Sequence, residues 1–106
     1  MITIESLSKN GGLVSDKPVK KHIKFKIDGV EHDGDIYIAR VSIGAFEQIF
    51  LSDDKLSRTA KAISAGIRLG DGTETLTFEQ AYQLHPSLAS AMLECFYEVN
   101  GGSEKN

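Results

Sequence analysis

The amino-acid sequence predicts an α+β domain in which an N-terminal β-hairpin packs on a bundle of about four short helices. Three observations carry this expectation. Apolar and charged residues alternate on both sides of Asp28-Gly29, the pattern of two strands joined by a tight turn. Between Ile43 and Arg68 apolar residues recur at helical spacing, behind serines suited to capping. Finally, Leu76 to Gly101 holds start signals, a break and a stop signal that together define two consecutive helices.

In chain order, residues 1–17 show a brief alternation at Ile2 and Ile4, then polar residues and Gly11-Gly12, and read as a flexible arm. The α+β domain is expected over residues 18–101, with 102–106 as a flexible tail. Ile23, Phe25 and Ile27 alternate with His22, Lys24 and Lys26, and a second alternating segment runs from Val30 to Ile38. With Asp28-Gly29 as a type I′ loop the register follows: Ile27 faces Val30, Lys26 faces Glu31, Lys24 faces Asp33 and His22 faces Asp35. Ile23, Phe25, Ile27, Val30, Ile36 and Ile38 share the opposite face, so a slip of one residue would expose the whole apolar set. His32 and Gly34 fit that face poorly, and His32 is expected near a sheet edge. Asp33 and Asp35 point to the other side from His32, which argues against a metal site.

Ser42 is placed to cap a helix from Ile43 to Leu51, with Ile43, Phe46 and Phe50 on one side. Ser52 is placed to cap the next, with Asp53 and Asp54 in its first turn and Arg68 near its end, where the helix dipole favours those charges. Leu56, Ala60, Ile63 and Ile67 form its apolar stripe, Thr59, Ala62 and Gly66 a second strip of small residues, and Gly70 or Asp71-Gly72 ends it. Thr77 and Gln80 fit a capping box for a short helix from Phe78. Pro86 breaks it at His85 and opens the last helix, Ser87 to Val99, which Asn100-Gly101 closes. Nine apolar residues of that helix span roughly 240° of its circumference, where a single core-facing side needs only about 100°. The excess fits either a central helix with neighbours on two sides or a surface meeting another subunit or partner. The candidates for such a surface are Met92, Leu93, Phe96 and Tyr97.

Composition narrows the function. The chain has 106 residues and a net charge of −3, enough for one core and too acidic for a general nucleic-acid binder. The densest basic run, Lys17, Lys20, Lys21, Lys24 and Lys26, lies largely within the hairpin, opposite its carboxylates. One cysteine, Cys95, forbids an internal disulfide and sits in the apolar arc of its helix as a small buried hydrophobe. No apolar run reaches the ~20 residues of a membrane span, and no signal peptide is evident, so the expected site of action is cytosolic. Phosphate-binding loops, nucleophile elbows and metal-binding motifs are absent from the sequence, which points away from an enzyme and from any cofactor.

The basic hairpin with DG and DGDIYI at 28–38, followed by AKAISAGIRLGDGTETLTFEQAYQLHPSLASAMLECFYEVNG at 60–101, resembles the tail assembly chaperones of lambda-like long-tailed bacteriophages. The resemblance implies a non-enzymatic protein that binds the tape measure protein, keeps it soluble and helps tail-tube polymerisation begin. It implies action in the cytoplasm of the infected host bacterium, absence from the mature virion and self-association. It also implies a longer form, made by a −1 ribosomal frameshift, that contacts the tail-tube protein. Glu104-Lys105-Asn106 is compatible with codons that contain the slippery heptamer A AAA AAC. The alternatives are a small nucleic-acid-associated protein using the basic run at 17–26 and a structural head-tail connector.

Overall fold

The structure, a computed structural model, describes residues 1–101. Glu104, Lys105 and Asn106, with the rest of the expected tail at 102–106, lie outside the described residues. The segment read as an arm contains a helix, α1 (Ile4–Asn10), closed by reciprocal Thr3 and Ser6 hydrogen bonds at its start and by Gly11 at its end. It buries no residue.

Strands β1 (Val19–Ile27) and β2 (Val30–Ile38) form the antiparallel hairpin in the predicted register, from Ile27 opposite Val30 to His22 opposite Asp35 and on to Val19 opposite Ile38. Asp28 and Gly29 both have positive φ, 53° and 82°, as a type I′ turn requires. Helix α2 (Ile43–Phe46), capped by Ser42, continues into a π-helical segment, Glu47–Leu51. That widened turn alters the expected stripe: Ile49 is buried, whereas Ile43 is 79% exposed.

Helix α3 (Arg58–Gly66) starts later than predicted, capped by Ser57 rather than Ser52. The reason is local competition for side-chain hydrogen bonds. Asp54 accepts from the Leu56 backbone N–H and from Ser52, while Lys61 pairs with Asp54 at 2.5 Å and donates to Ser52 at 2.7 Å. These residues form a polar knot before the helix, and Leu56 is exposed.

The sheet is also larger than predicted. After α3 the chain leaves helical geometry for β3 (Ile67–Leu69), which pairs with β2 through Tyr37–Arg68 and Ile38–Ile67 and then with β4 (Glu74–Thr75), giving the order β1-β2-β3-β4. Gly70 and Gly72, at φ 64° and 102°, make the turn between them instead of ending a helix. Pairing with Tyr37 and Ile38, distant in sequence, overrides the helical pattern at Ile67 and Arg68. Helices α4 (Phe78–Tyr82) and α5 (Pro86–Asn100) follow with the predicted Thr77–Gln80 capping box and Pro86 in the first turn.

Helix α5 is central, packing on β1 and β2 on one side and on α3 on another. The closest approach is at Gly66, where an added Cβ would lie 2.5 Å from two carbons of the Phe96 ring. Ala62 and Gly66 are buried as the small-residue strip anticipated, while Thr59 is exposed. Gly66→Ala is therefore expected to destabilise the fold by about 1–3 kcal/mol through overpacking, against alanine's better helix propensity. Urea unfolding measures this, and an unchanged or raised midpoint would contradict the close approach.

Candidate functional site

The sequence-predicted surface residues divide in the structure. Met92 and Phe96 are turned inward, with 3% and 1% exposure, because the hairpin and α3 cover two sides of α5. Leu93 is half-buried against the core. Tyr97 is half-buried too, and it and the edge of Phe96 line a groove of about 230 Å³ with Val41, Phe46, Phe50, Asn100 and Gly101.

Three elements build this groove. The last turns of α5 supply Phe96, Tyr97 and Asn100, the linker after β2 supplies Val41, and α2 with its π-helical continuation supplies Phe46 and Phe50. The aromatic rings form a chain from surface to core: Phe46 to Phe50 at 5.0 Å, Phe50 to Phe96 at 6.4 Å and Phe96 to Tyr97 at 5.8 Å. Such tilted and edge-on contacts fix ring orientation as well as burying area. Asn100 holds the linker in place. Its Oδ1 accepts from the Val41 N–H at 2.8 Å and its Nδ2 donates to the Ala39 carbonyl at 3.1 Å. Phe46 stays 43% exposed at the mouth, and Ile43 and Leu51 on the same segment are more exposed still. Sequence reading missed Phe46, Phe50, Val41 and Asn100 as site residues, although the i,i+4 spacing of the two phenylalanines was a signal.

The polar face of the hairpin carries the main charge cluster. His22 Nδ1 lies 2.8 Å from Asp35 and Nε2 lies 3.0 Å from Asp33, an arrangement satisfied when both ring nitrogens carry protons. The hydrogen bond to Asp35 is the main cause that raises the His22 pKa above its ordinary 6.5; burial opposes it and Asp33 adds to it. The same bond to His22 holds Asp35 below its ordinary 3.8, with Lys20 at 3.6 Å assisting. Lys21 pairs with Glu98 of α5 at 3.5 Å. Lys24 and Lys26 face Asp33 and Glu31 in register but form no ion pair with them among the described residues. The basic run is thus interleaved with carboxylates, a poor footprint for a phosphate backbone.

Cys95 is buried, and burial together with nearby Glu98 pushes its thiol above the ordinary 9.0, the wrong direction for a nucleophile. Among the described residues no group of three metal-binding side chains converges, and no helix is long and apolar enough to cross a membrane.

The described residues thus form an α+β domain with an aromatic groove open at its surface. The comparison with protein families is specific: the model described as "Phage tail assembly chaperone, TAC" matches residues 5–100. The chain belongs to that family of phage tail assembly chaperones. Comparisons with curated proteins and with solved structures give no significant match.

The charge cluster makes a pH prediction. With a raised folded pKa, His22 stabilises fully below 6.5 and its contribution is lost as pH rises through the folded value. Asp35, with a lowered folded pKa, stabilises above 3.8 and its contribution is lost as pH falls through the folded value. Thermal unfolding should therefore show the largest contribution from this pair between pH 3.8 and 6.5. His22→Gln should remove the decline on the neutral side, and a His22 pKa at or below 6.5 by NMR would contradict the geometry.

Proposed function

We propose that this chain binds the tape measure protein of its phage, keeps that long apolar helical client soluble, and promotes tail-tube assembly. The family match over residues 5–100 carries the reading. The aromatic groove supports it with a place for the contact: exposed Phe46 at the mouth, half-buried Tyr97 on the wall and Phe96 at the floor suit an apolar side chain of a helical client. The activity is non-enzymatic and needs no cofactor. It takes place in the cytoplasm of the infected host, and the protein is absent from the mature virion. Self-association, and a longer frameshifted form that contacts the tail-tube protein, complete the proposed set of partners.

Two experiments test this. Co-expression with the tape measure protein should keep the client soluble. Phe46→Asp should return it to the insoluble fraction while the melting temperature of the chaperone stays near wild type. Leu56→Asp, at an exposed apolar residue that does not line the groove, is the control expected to behave as wild type. Equal client solubility with Phe46→Asp and wild type would remove the groove from the reading. Expression of the gene with its natural downstream DNA should yield a second, longer product by mass spectrometry, and a single product ending at Asn106 would remove the frameshift.

A further inference from the structure

The open edge of β2 lies beside a second apolar hollow, and neither is used by the aromatic groove. β1 pairs with the whole of β2, but β3 pairs only with its last two residues, Tyr37 and Ile38. Ile27 and Val30 flank a two-residue turn and so form a hydrogen-bonded pair, and the antiparallel ladder alternates from there. His32, Gly34 and Ile36 therefore direct their backbone groups to β1, and Glu31, Asp33 and Asp35 direct theirs to the other side. The observed β2–β3 pairing at Tyr37 continues this alternation. The result is a row of strand N–H and C=O groups from Glu31 to Asp35, in line with β3, that no strand among the described residues takes up.

On the apolar face of the same stretch lies a hollow of about 280 Å³, walled by Phe25, Ile36, Leu69, Leu84, Leu88 and Met92. Gly34 opens it. It sits opposite Ile23 in the register, and a Cβ built on it meets nothing within 4 Å. A glycine inside a strand forfeits packing and marks a place where another backbone comes close. On the polar face, Glu31, Asp33 and Asp35 are exposed carboxylates, one beside each free backbone position.

We propose that this edge accepts an extended peptide segment of a partner protein by strand addition, and that the segment carries alternating apolar and basic side chains. The pattern follows from the register. Side chains beside Gly34 enter the hollow, and those beside Asp33 and Asp35 emerge on the acidic face. Main-chain hydrogen bonds provide affinity, while the hollow and the carboxylates select the sequence. β1 shows on the opposite side of β2 that such a strand fits, since it presents Lys20, His22, Lys24 and Lys26 to these acids and Ile23 and Phe25 to the core. This site is independent of the reading proposed for the aromatic groove.

The test uses the full chain and a fluorescent, end-capped synthetic peptide of sequence KKHIKFKI, with backbone N-methylation at alternate residues in one control and glutamate for lysine in another. The unmodified peptide should bind saturably and slow hydrogen exchange at the Glu31, Asp33 and Asp35 amides, leaving His32 and Gly34 unchanged. Both controls should fail to do so. Gly34→Leu, which has room for its side chain, should fold as wild type yet weaken binding about tenfold or more by filling the hollow. Unchanged binding by Gly34→Leu, equal binding of the glutamate peptide, or no added protection at these three amides would overturn the proposal. So would amides already slow without peptide in a self-associated protein, since the edge would then belong to a second copy.

Discussion

The packing of Phe96 over Gly66 is the constraint on which the rest of this structure depends. A glycine in the last turn of α3 lets the Phe96 ring reach the backbone, so α5 settles closely against α3. Once α5 is seated there, its other side is available to the hairpin, and Ile23, Ile36 and Ile38 close the core against it. Interiors packed this closely tolerate neither a void nor an extra methyl group. The wide apolar arc of α5 thus has mainly an internal use, with its C-terminal end lining the aromatic groove and Leu88 and Met92 walling the hollow beside β2.

A few polar contacts convert that packing into defined positions. Asn100 ties the end of α5 to the linker between β2 and α2, Ser64 donates to the Leu76 carbonyl at 2.9 Å, and Ser87 donates to the Lys26 carbonyl at 2.5 Å. Each joins an element end to a distant stretch of backbone. The groove exists because Asn100 and the π-helical turn together hold Phe50 and Val41 over Phe96. Charge is treated differently: the hairpin ion pairs are exposed, so they select register and respond to pH more than they hold the fold.

The two surfaces are chemically distinct. The aromatic groove at the end of α5 suits an apolar side chain presented by a helix, whereas the β2 edge offers hydrogen-bonding backbone and acidic side chains to an extended chain. As proposed, the two sites would hold two kinds of segment at once.

Local sequence determined the hairpin, its turn and register, the Thr77–Gln80 cap, the Pro86 corner and the buried thiol, because each depends on residues a few positions apart or on one repeating pattern. Family membership was also legible, through the hairpin and the last three helices. The late start of α3 turned on local side-chain contacts among Ser52, Asp54 and Lys61 that the helical pattern does not display, whereas tertiary structure alone decided the conversion of Ile67–Leu69 from helix to strand, which needed Tyr37 and Ile38 as partners. It also decided which part of the α5 arc remains accessible. Met92 and Phe96 look no different from Tyr97 on a helical wheel. Only the placement of the hairpin and α3 buries the first two, and only the linker and π-turn bring Phe46 and Phe50 to Tyr97, because burial belongs to pairs of surfaces and not to residues.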